Sequence, residues 1–463
     1  MRTDEKIFID RLRSLARIDN PDVVREELEG TQPPDLAEAF LRIDLEEGLA
    51  ILRNLEDNIA AEVLIELPTE TARAYASALP DETLAHYLDL LPMDDAAELR
   101  EELDPERFES LLEVIPREDA QEIRRLLSYP EDSAGQLMTE DFFEARPDDT
   151  IESLLQDIRE APEGKYETVN DIYVVDAAGH LLGVFSLRQA VRAKPHQQAA
   201  EIMETDLVTC SPFDSAEKVA RDIARYGFYA MPVVDERGRL LGIFTVDDAQ
   251  EVLEEAETED VLALGAVGGD AESYLSLSWW QLVRRRLPWL FILFVAETLT
   301  GAVMRHYVGE VSDESASAGG RLAILAQLSL FIPLLIGAGG NSGSQVTTTI
   351  TRALAVGEVR PADFLLVMRR EFVTALFIGA ALGIVGFLRA YFGWASGWSV
   401  SLIVGIALPA IVVWATTVGS VLPLAAKSLR IDPAVMSAPF IATFVDATGL
   451  IIYFEIARRV LHF

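Results

Sequence analysis

SLIVGIALPAIVVWATTVGSVLPLAA, residues 401–426, carries no charged side chain. A membrane-crossing helix needs about 20 mostly apolar residues. This run is too long and too uniformly apolar for a buried helix of a soluble core. Outward from it the pattern repeats: PWLFILFVAETLTGAV (288–303) has a single acid, Glu297. Five candidate spans follow over residues 284–463, at roughly 287–307, 322–350, 371–391, 400–426 and 437–460. Lys and Arg in short flanks favour the cytoplasm. Arg284, Arg285, Arg286, Arg352, Arg360, Arg369, Arg370, Lys427 and Arg430 share one side if the N-terminus is inside. Arg305, Arg321, Arg389, Arg458 and Arg459 fall on the other, where the uncharged, aromatic loop YFGWASGWS (391–399) suits an outer interface. The expected orientation is N-terminus inside and C-terminus outside, in a bacterial-type inner (plasma) membrane and in contact with its lipid.

Upstream the chemistry changes. The 463-residue chain has 75 acidic and 39 basic residues, net −36. Residues 1–270 hold 64 acids against 25 bases, net −39, and residues 271–463 hold 11 against 14, net +3. So acidic a chain offers no face for nucleic-acid phosphates, and no nucleic-acid partner is expected. One cysteine, Cys210, excludes an internal disulfide framework and Cys-rich metal sites. The five histidines (86, 180, 196, 306, 462) form no HxxxH pair. No nucleophile–base pair, phosphate-binding loop or hydrolase motif appears, so an enzyme is not expected. Residues 1–20 are charged throughout and lack the apolar core of a secretory leader, which places the acidic half in the cytoplasm.

Residues 1–130 read as an acidic helical domain. LIELP, ASALP, LDLLP and LEVIP end at Pro68, Pro80, Pro92 and Pro116, with a weaker match at Pro105. The period of about twelve describes short helices, each stopped at a proline that begins the next, stacked as a solenoid. Residues 131–250 carry another repeat. DIYVVDAAGHLLGVFSLRQA (171–190) matches FYAMPVVDERGRLLGIFTVDDA (228–249), with Gly183 and Gly242, like Asp176 and Asp235, 59 residues apart. Each copy reads as strand, tight turn at the glycine, strand, helix, preceded by a helix and by LMT or IME. This order, twice over, closely resembles a tandem pair of CBS domains, regulatory modules that often bind nucleotides or ions. An acidic helix, VDDAQEVLEEAETEDVLALGA (246–266), then leads through a connecting segment, 251–283, to the membrane.

Two membrane segments carry chemistry. PLLIGAGGNSGSQVTTT (333–349) places four glycines and a polar run inside the second span. Close helix packing through small residues is one reading and a pore lining the sharper one. PFIATFVDATGL (439–450) puts Asp446 in the fifth span, with no basic residue mid-span to pair it. A carboxylate at that depth faces water and a cation, or is neutral and bonded to a threonine. Carboxylates, hydroxyls, amides and carbonyls suit a hard divalent ion. Two Asp446 side chains on a dimer axis would hold such an ion with its waters. An anion channel is disfavoured, since no base lines the central spans. A CBS-bearing membrane sensor without conduction is the rival from another class.

PLLIGAGGNSGSQ, DPAVMSAPFIATFVDATG (432–449) and the order of domains over the whole chain resemble the MgtE family of Mg²⁺ channels and transporters. The resemblance implies a multi-domain membrane protein: an all-α solenoid-like domain, an α/β CBS pair, a linking plug helix and a five-helix transmembrane domain. It implies a homodimer with its pore on the two-fold axis, lined by spans two and five. Asp446 is then the selectivity carboxylate, helped by the Ala442 backbone carbonyl, and Asp432 lies near the inner mouth. Carried over by local motif, regulatory Mg²⁺ ligands are Glu62 of AAEVL, Asp94, Asp95 and Glu98 of MDDAAE, then Glu217, Asp248 and Glu251. Glu259 of TEDV is the plug acid facing Asp432. Gly227 and Ala256 depart from the pattern where acids are expected, with Glu255 and Glu257 as neighbours that could substitute. ATP binding is implied at Tyr173 and Arg188. Bound Mg²⁺ would hold the self-repelling acidic domains compact and the pore shut. Falling cytosolic Mg²⁺ would release it, and the membrane potential would favour divalent entry by about 4–5 kcal/mol per 100 mV.

Overall fold

The computed structural model describes residues 3–461 except 19, 101, 163–164, 269–276, 314–317, 356–357, 394–395 and 430–436. It divides into two units, residues 1–256 with 271–277 and residues 257–270 with 278–463.

The first unit opens with ten short helices: α1 (Thr3–Leu15), α2 (Pro21–Leu28), α3 (Pro33–Phe40), α4 (Leu45–Leu52), α5 (Asp57–Ile65), α6 (Thr69–Ala78), α7 (Asp81–Leu90), α8 (Met93–Glu98), α9 (Pro105–Leu112) and α10 (Arg117–Leu126). The prolines set this rhythm. Pro68, Pro80, Pro92 and Pro116 are N-caps with φ between −49° and −65° and ψ between 141° and 149°. Their rings fix the non-helical entry, and they supply no N–H for the preceding helix. They also push the residue before them out of the helical region. Leu79 (φ −88°, ψ 146°) and Leu91 (φ −81°, ψ 153°) are extended and turn into the core. α5 packs on α3, α7 on α5, α9 on α7, α6 on α4 and α10 on α8, so helices two places apart share one core.

Next come β1 (Phe142–Ala145), α11 (Ile151–Glu160), β2 (Thr168–Val175), β3 (Leu181–Ser186), α12 (Leu187–Arg192), α13 (Ala199–Ile202), α14 (Ala216–Tyr226), β4 (Ala230–Val234), β5 (Leu240–Thr245) and α15 (Val246–Leu264). β1 lies parallel to β2, β2 antiparallel to β3, and β4 antiparallel to β5. The hairpin turns differ from expectation. They fall at Gly179 and Gly238, whose φ of +83° and +80° favours glycine. Gly183 and Gly242 lie inside β3 and β5. A Cβ there would come within 2.7 Å of Met203 Cγ and of the Thr139 carbonyl oxygen. Those contacts reveal an exchange: LMT, before the first copy, pairs with β5 at Thr139–Ile243, and IME pairs with β3 at Glu204–Val184. The two turns also bond to each other, Leu181 N–H to the Gly238 carbonyl and Leu240 N–H to that of Gly179, both at 3.0 Å. Asp176 and Asp235 do equivalent work. Asp176 accepts from the His180 N–H and Asp235 from the Arg239 N–H, both at 2.9 Å, and these bonds hold both carboxyls down to about 2.

The second unit holds five long helices: α16 (Trp279–Asp313), α17 (Ala318–Ala355), α18 (Phe364–Leu388), α19 (Gly397–Ser428) and α20 (Ala438–Leu461). Among the described residues four stretches are long and apolar enough to cross a membrane: Trp279–Tyr307, Pro361–Gly393, Gly397–Ser428 and Ala438–Leu461. α17, with 38 residues, is also long enough to cross, and it is not among the four. α19 is the centre of the packing, against α17, α18 and α20, while α16 packs mainly on α20. Glycines permit this closeness. A Cβ at Gly383 would lie 2.6 Å from the Gly405 carbonyl oxygen, and one at Gly419 2.6 Å from that of Gly343.

Candidate functional site

In the membrane unit, the close-packing reading of 333–349 holds on one face of α17, and most of its polar residues lie on another. Gly339 and Gly343 meet α19 and α20, where added Cβ atoms would lie 2.7 Å from Ile411 and 3.1 Å from Ile441. Thr347 on that side donates to the Gly343 carbonyl at 2.9 Å and is buried. Asn341, Gln345, Thr348, Thr349 and Arg352 follow the helical repeat along the opposite, exposed face. Gly340 faces the ion-path candidates, where a Cβ would stand 3.5 Å from Ala442 Cβ and 3.6 Å from Asp446 Oδ1. Ala442 lies one turn before Asp446. Its carbonyl accepts the Asp446 N–H within α20 and keeps a second lone pair. Asp446 Oδ1 is buried without a hydrogen-bond partner. Trp414 Nε1 donates to Thr448 Oγ1 at 2.8 Å, and Ser344 Oγ to the Ala438 carbonyl at 3.2 Å, so neighbouring polar groups are used elsewhere. A charged Asp at mid-membrane costs about 2.5–3.5 kcal/mol. An unsatisfied carboxylate oxygen next to a bare glycine therefore fits a cation with its water. Glu297, on α16, is exposed. Asp432 lies outside the described residues. Glu259 sits exposed on the later half of α15.

In the first unit, α8 brings Asp94, Asp95 and Glu98 opposite the start of α15. Asp94 is 7% exposed, and its Oδ1 has no hydrogen-bond partner. Burial first, then the charges of Asp95, Asp248 and Glu167, push its carboxyl well up. Burial followed by Asp248, Glu167, Glu251 and Asp247 raises Asp95 to about 7. Burial and Asp247 raise Asp248 to about 6 against the bond from Thr245. Glu98 moves up for the same reasons, with Glu251 the leading charge, though it keeps water-accessible surface in this crowded crevice. Glu62 is raised by desolvation alone, while Glu66 also feels Glu251 and Glu62. Glu167 and Glu251 rise mainly by desolvation too. The charges that lead these shifts at Asp94, Asp95, Glu98, Glu167, Asp248 and Glu251 all belong to other acids. Such a set takes up either protons or cations, and its all-oxygen donors suit Mg²⁺. Among the described residues no three His, Cys, Asp or Glu side chains already converge on one metal position.

The structure thus joins Asp94, Asp95, Glu98, Asp248 and Glu251. It adds Glu66, Glu167 and Asp247, which motif reading missed. Asp247 neighbours Asp248 and Glu66 lies one turn after Glu62, but Glu167, in the coil before β2, has no local signal. Glu217 stands apart, paired with Arg221 on its own helix. Gly227 is the left-handed cap of α14, at φ +72° and ψ 37°, with its N–H 2.8 Å from the Ile223 carbonyl. That position needs a glycine's freedom more than an acid. Ala256 is half-buried on α15. Tyr173 is a core residue, 1% exposed and edge-on to Phe142 at 5.6 Å, while Arg188 is exposed on α12.

Comparison with known proteins agrees across the chain. A family of divalent cation transporters matches residues 332–456, the MgtE intracellular N domain residues 31–132, and the CBS domain residues 134–196 and 199–255. The magnesium transporter MgtE of Thermus thermophilus is 38% identical over 336 residues, 73% of this chain and 72% of the relative. That of Bacillus subtilis is 29% identical over 341 residues, 73% of this chain and 71% of the relative. A crystal structure of the cytosolic domain of the Mg²⁺ channel MgtE in complex with ATP superposes with a TM-score of 0.51 at 37% identity, over 53% of this chain and 100% of that one. These matches define a membrane transporter with helical and CBS domains rather than an enzyme. The chain belongs to the magnesium transporter MgtE family.

Proposed function

We propose that the chain forms a homodimeric, Mg²⁺-selective channel in the bacterial inner membrane, closed by cytosolic Mg²⁺. The observation that carries this reading is Asp446, a mid-membrane carboxylate with a buried, unpartnered oxygen beside Gly340. The transmembrane domain, 284–463, crosses five times with α17 as the second span, N-terminus inside and C-terminus outside. Two copies set α17 and α20 around a two-fold axis, where paired Asp446 carboxylates and Ala442 carbonyls take the ion as substrate.

The helical domain, 1–130, and the CBS pair, 131–250, form the sensor. Mg²⁺ supplies positive charge that bridges the acids of α8 and α15 when bound. Asp94, Asp95, Glu98, Asp248 and Glu251 accept it, with Glu62 and Glu217 at the margins. Without it, like charges loosen the crevice. α15 continues from these acids to Glu259, and the connecting segment 251–283 acts as the plug, with Glu259 opposing Asp432. The fold shared with an ATP-bound cytosolic domain supports nucleotide binding at the CBS pair, with Tyr173 and Arg188 as the nominated residues.

Mg²⁺ flux into liposomes tests the reading. Wild type should carry flux, and Asp446→Asn should lose it by more than about tenfold. Equal flux through a folded, dimeric Asp446→Asn protein would reject Asp446 as the selectivity site.

A further inference from the structure

α16 carries one acid in the middle of its apolar span, and the ion path described so far does not use it. Glu297 is exposed, among Phe294 (72% exposed), Val295 (51%) and Leu299 (56%). A carboxylate left against hydrocarbon is costly, so this position needs water, a cation or a partner. One turn later on the same side, Thr300 is 7% exposed, yet its Oγ1 has no hydrogen-bond partner.

The register fixes the depth of Glu297. The connections between successive long helices are short, so neighbours in sequence reverse direction and α16 runs the same way as α20. Tyr307 of α16 donates to Glu455 Oε1 of α20 at 3.2 Å and stacks on Phe454 at 5.0 Å. Glu297 lies ten residues before Tyr307 and Asp446 nine before Glu455. At a rise of about 1.5 Å per residue, both carboxylates stand at about the same level.

We infer that Glu297 is a second ion-path carboxylate, level with Asp446 and one helix away, which holds the transported divalent cation through its water shell jointly with Asp446. The two orphaned oxygens, Asp446 Oδ1 and Thr300 Oγ1, are then acceptors for that shell. A dimer would carry two such pairs, enough charge for a hydrated divalent ion that a lone Asp holds poorly. This inference rests on the transport reading.

The test uses the full chain in lipid vesicles. A water-soluble carbodiimide with a glycine ester labels carboxylates that water reaches, and mass spectrometry reads Glu297. The expected result is labelling in chelator, slowed at least about fivefold by saturating Mg²⁺, with that protection lost in Asp446→Asn. No labelling, or labelling that Mg²⁺ does not slow, overturns the inference. In the flux assay, Glu297→Gln should raise the half-saturating Mg²⁺ about tenfold, with Glu297→Asp closer to wild type. Unchanged half-saturation in Glu297→Gln also overturns it. Absence of wild-type flux rejects the transport reading, and the labelling result then decides the carboxylate's contact with water and cation on its own.

Discussion

Removing divalent ions should make the crevice between α8 and α15 open with rising pH, and Asp95→Asn should weaken that response. The Asp95 carboxyl is raised from its ordinary 3.8 to about 7, first by burial and then by four neighbouring acids. A carboxyl with a raised folded-state pKa contributes stability that is fully present below about pH 4 and lost as pH climbs through about 7. A shift of about three units corresponds to about 4 kcal/mol at most. The crevice is open to water, so about half of that, near 2 kcal/mol, is the working figure. It amounts to about a 30-fold rise in the opening constant. Asp248, raised to about 6, pushes the same way. Hydrogen exchange is the suitable assay, because all six tryptophans lie beyond residue 278 and report only on the membrane half. In chelator, amides of α8 and the first turns of α15 should lose protection between pH 5.5 and 8. With saturating Mg²⁺ the profile should be flat. In Asp95→Asn without divalent ions, the loss of protection between pH 5.5 and 8 should shrink by about 30-fold relative to wild type. Protection in chelator that is independent of pH, or equal pH dependence in Asp95→Asn, would refute the electrostatic argument.

Gly227→Ala meets no atom within 4 Å, so its cost is backbone alone. It should destabilise the end of α14 by about 1 kcal/mol, visible as about fivefold faster exchange there, with wild-type flux retained. Gly419→Ala drives a methyl to 2.6 Å from the Gly343 carbonyl oxygen and 2.9 Å from Thr347 Oγ1. It should cost about 1–3 kcal/mol and lower the thermal midpoint read by tryptophan emission, since Trp414 bridges α19 to α20. Arg221→Ala frees Glu217 from its ion pair but leaves the crevice acids alone, so the Mg²⁺ dependence of α8 exchange should stay within about twofold of wild type.

The sequence reveals whatever is local. Proline spacing foretells the short helices because a pyrrolidine ring acts on its own residue and the one before. Asp176 and Asp235 are legible as a repeat because each caps its own turn within four residues. What depends on distant pairing is not legible. The exchange of the LMT and IME segments between hairpins joins residues far apart in sequence, and both glycines assigned to turns serve those crossings instead. The crevice is half legible for the same reason. MDDAAE and VDDAQE advertise acids, whereas Glu167 enters only because the fold delivers it. Span two shows the limit of composition: its packed Gly339, Gly343 and Thr347 and its exposed Asn341, Gln345, Thr348 and Thr349 are interleaved in the linear run and separate only when the helix is wound.

The central claim is that one ion is both cargo and brake. Mg²⁺ flux through the reconstituted chain, measured against Mg²⁺ on the cytoplasmic face, addresses it most directly when wild type is compared with an Asp95→Asn, Glu98→Gln double variant. The account predicts that wild-type flux falls as cytoplasmic Mg²⁺ rises, while the variant still conducts at concentrations that silence wild type. Flux in wild type that ignores cytoplasmic Mg²⁺, or identical closure in the two proteins, would contradict it.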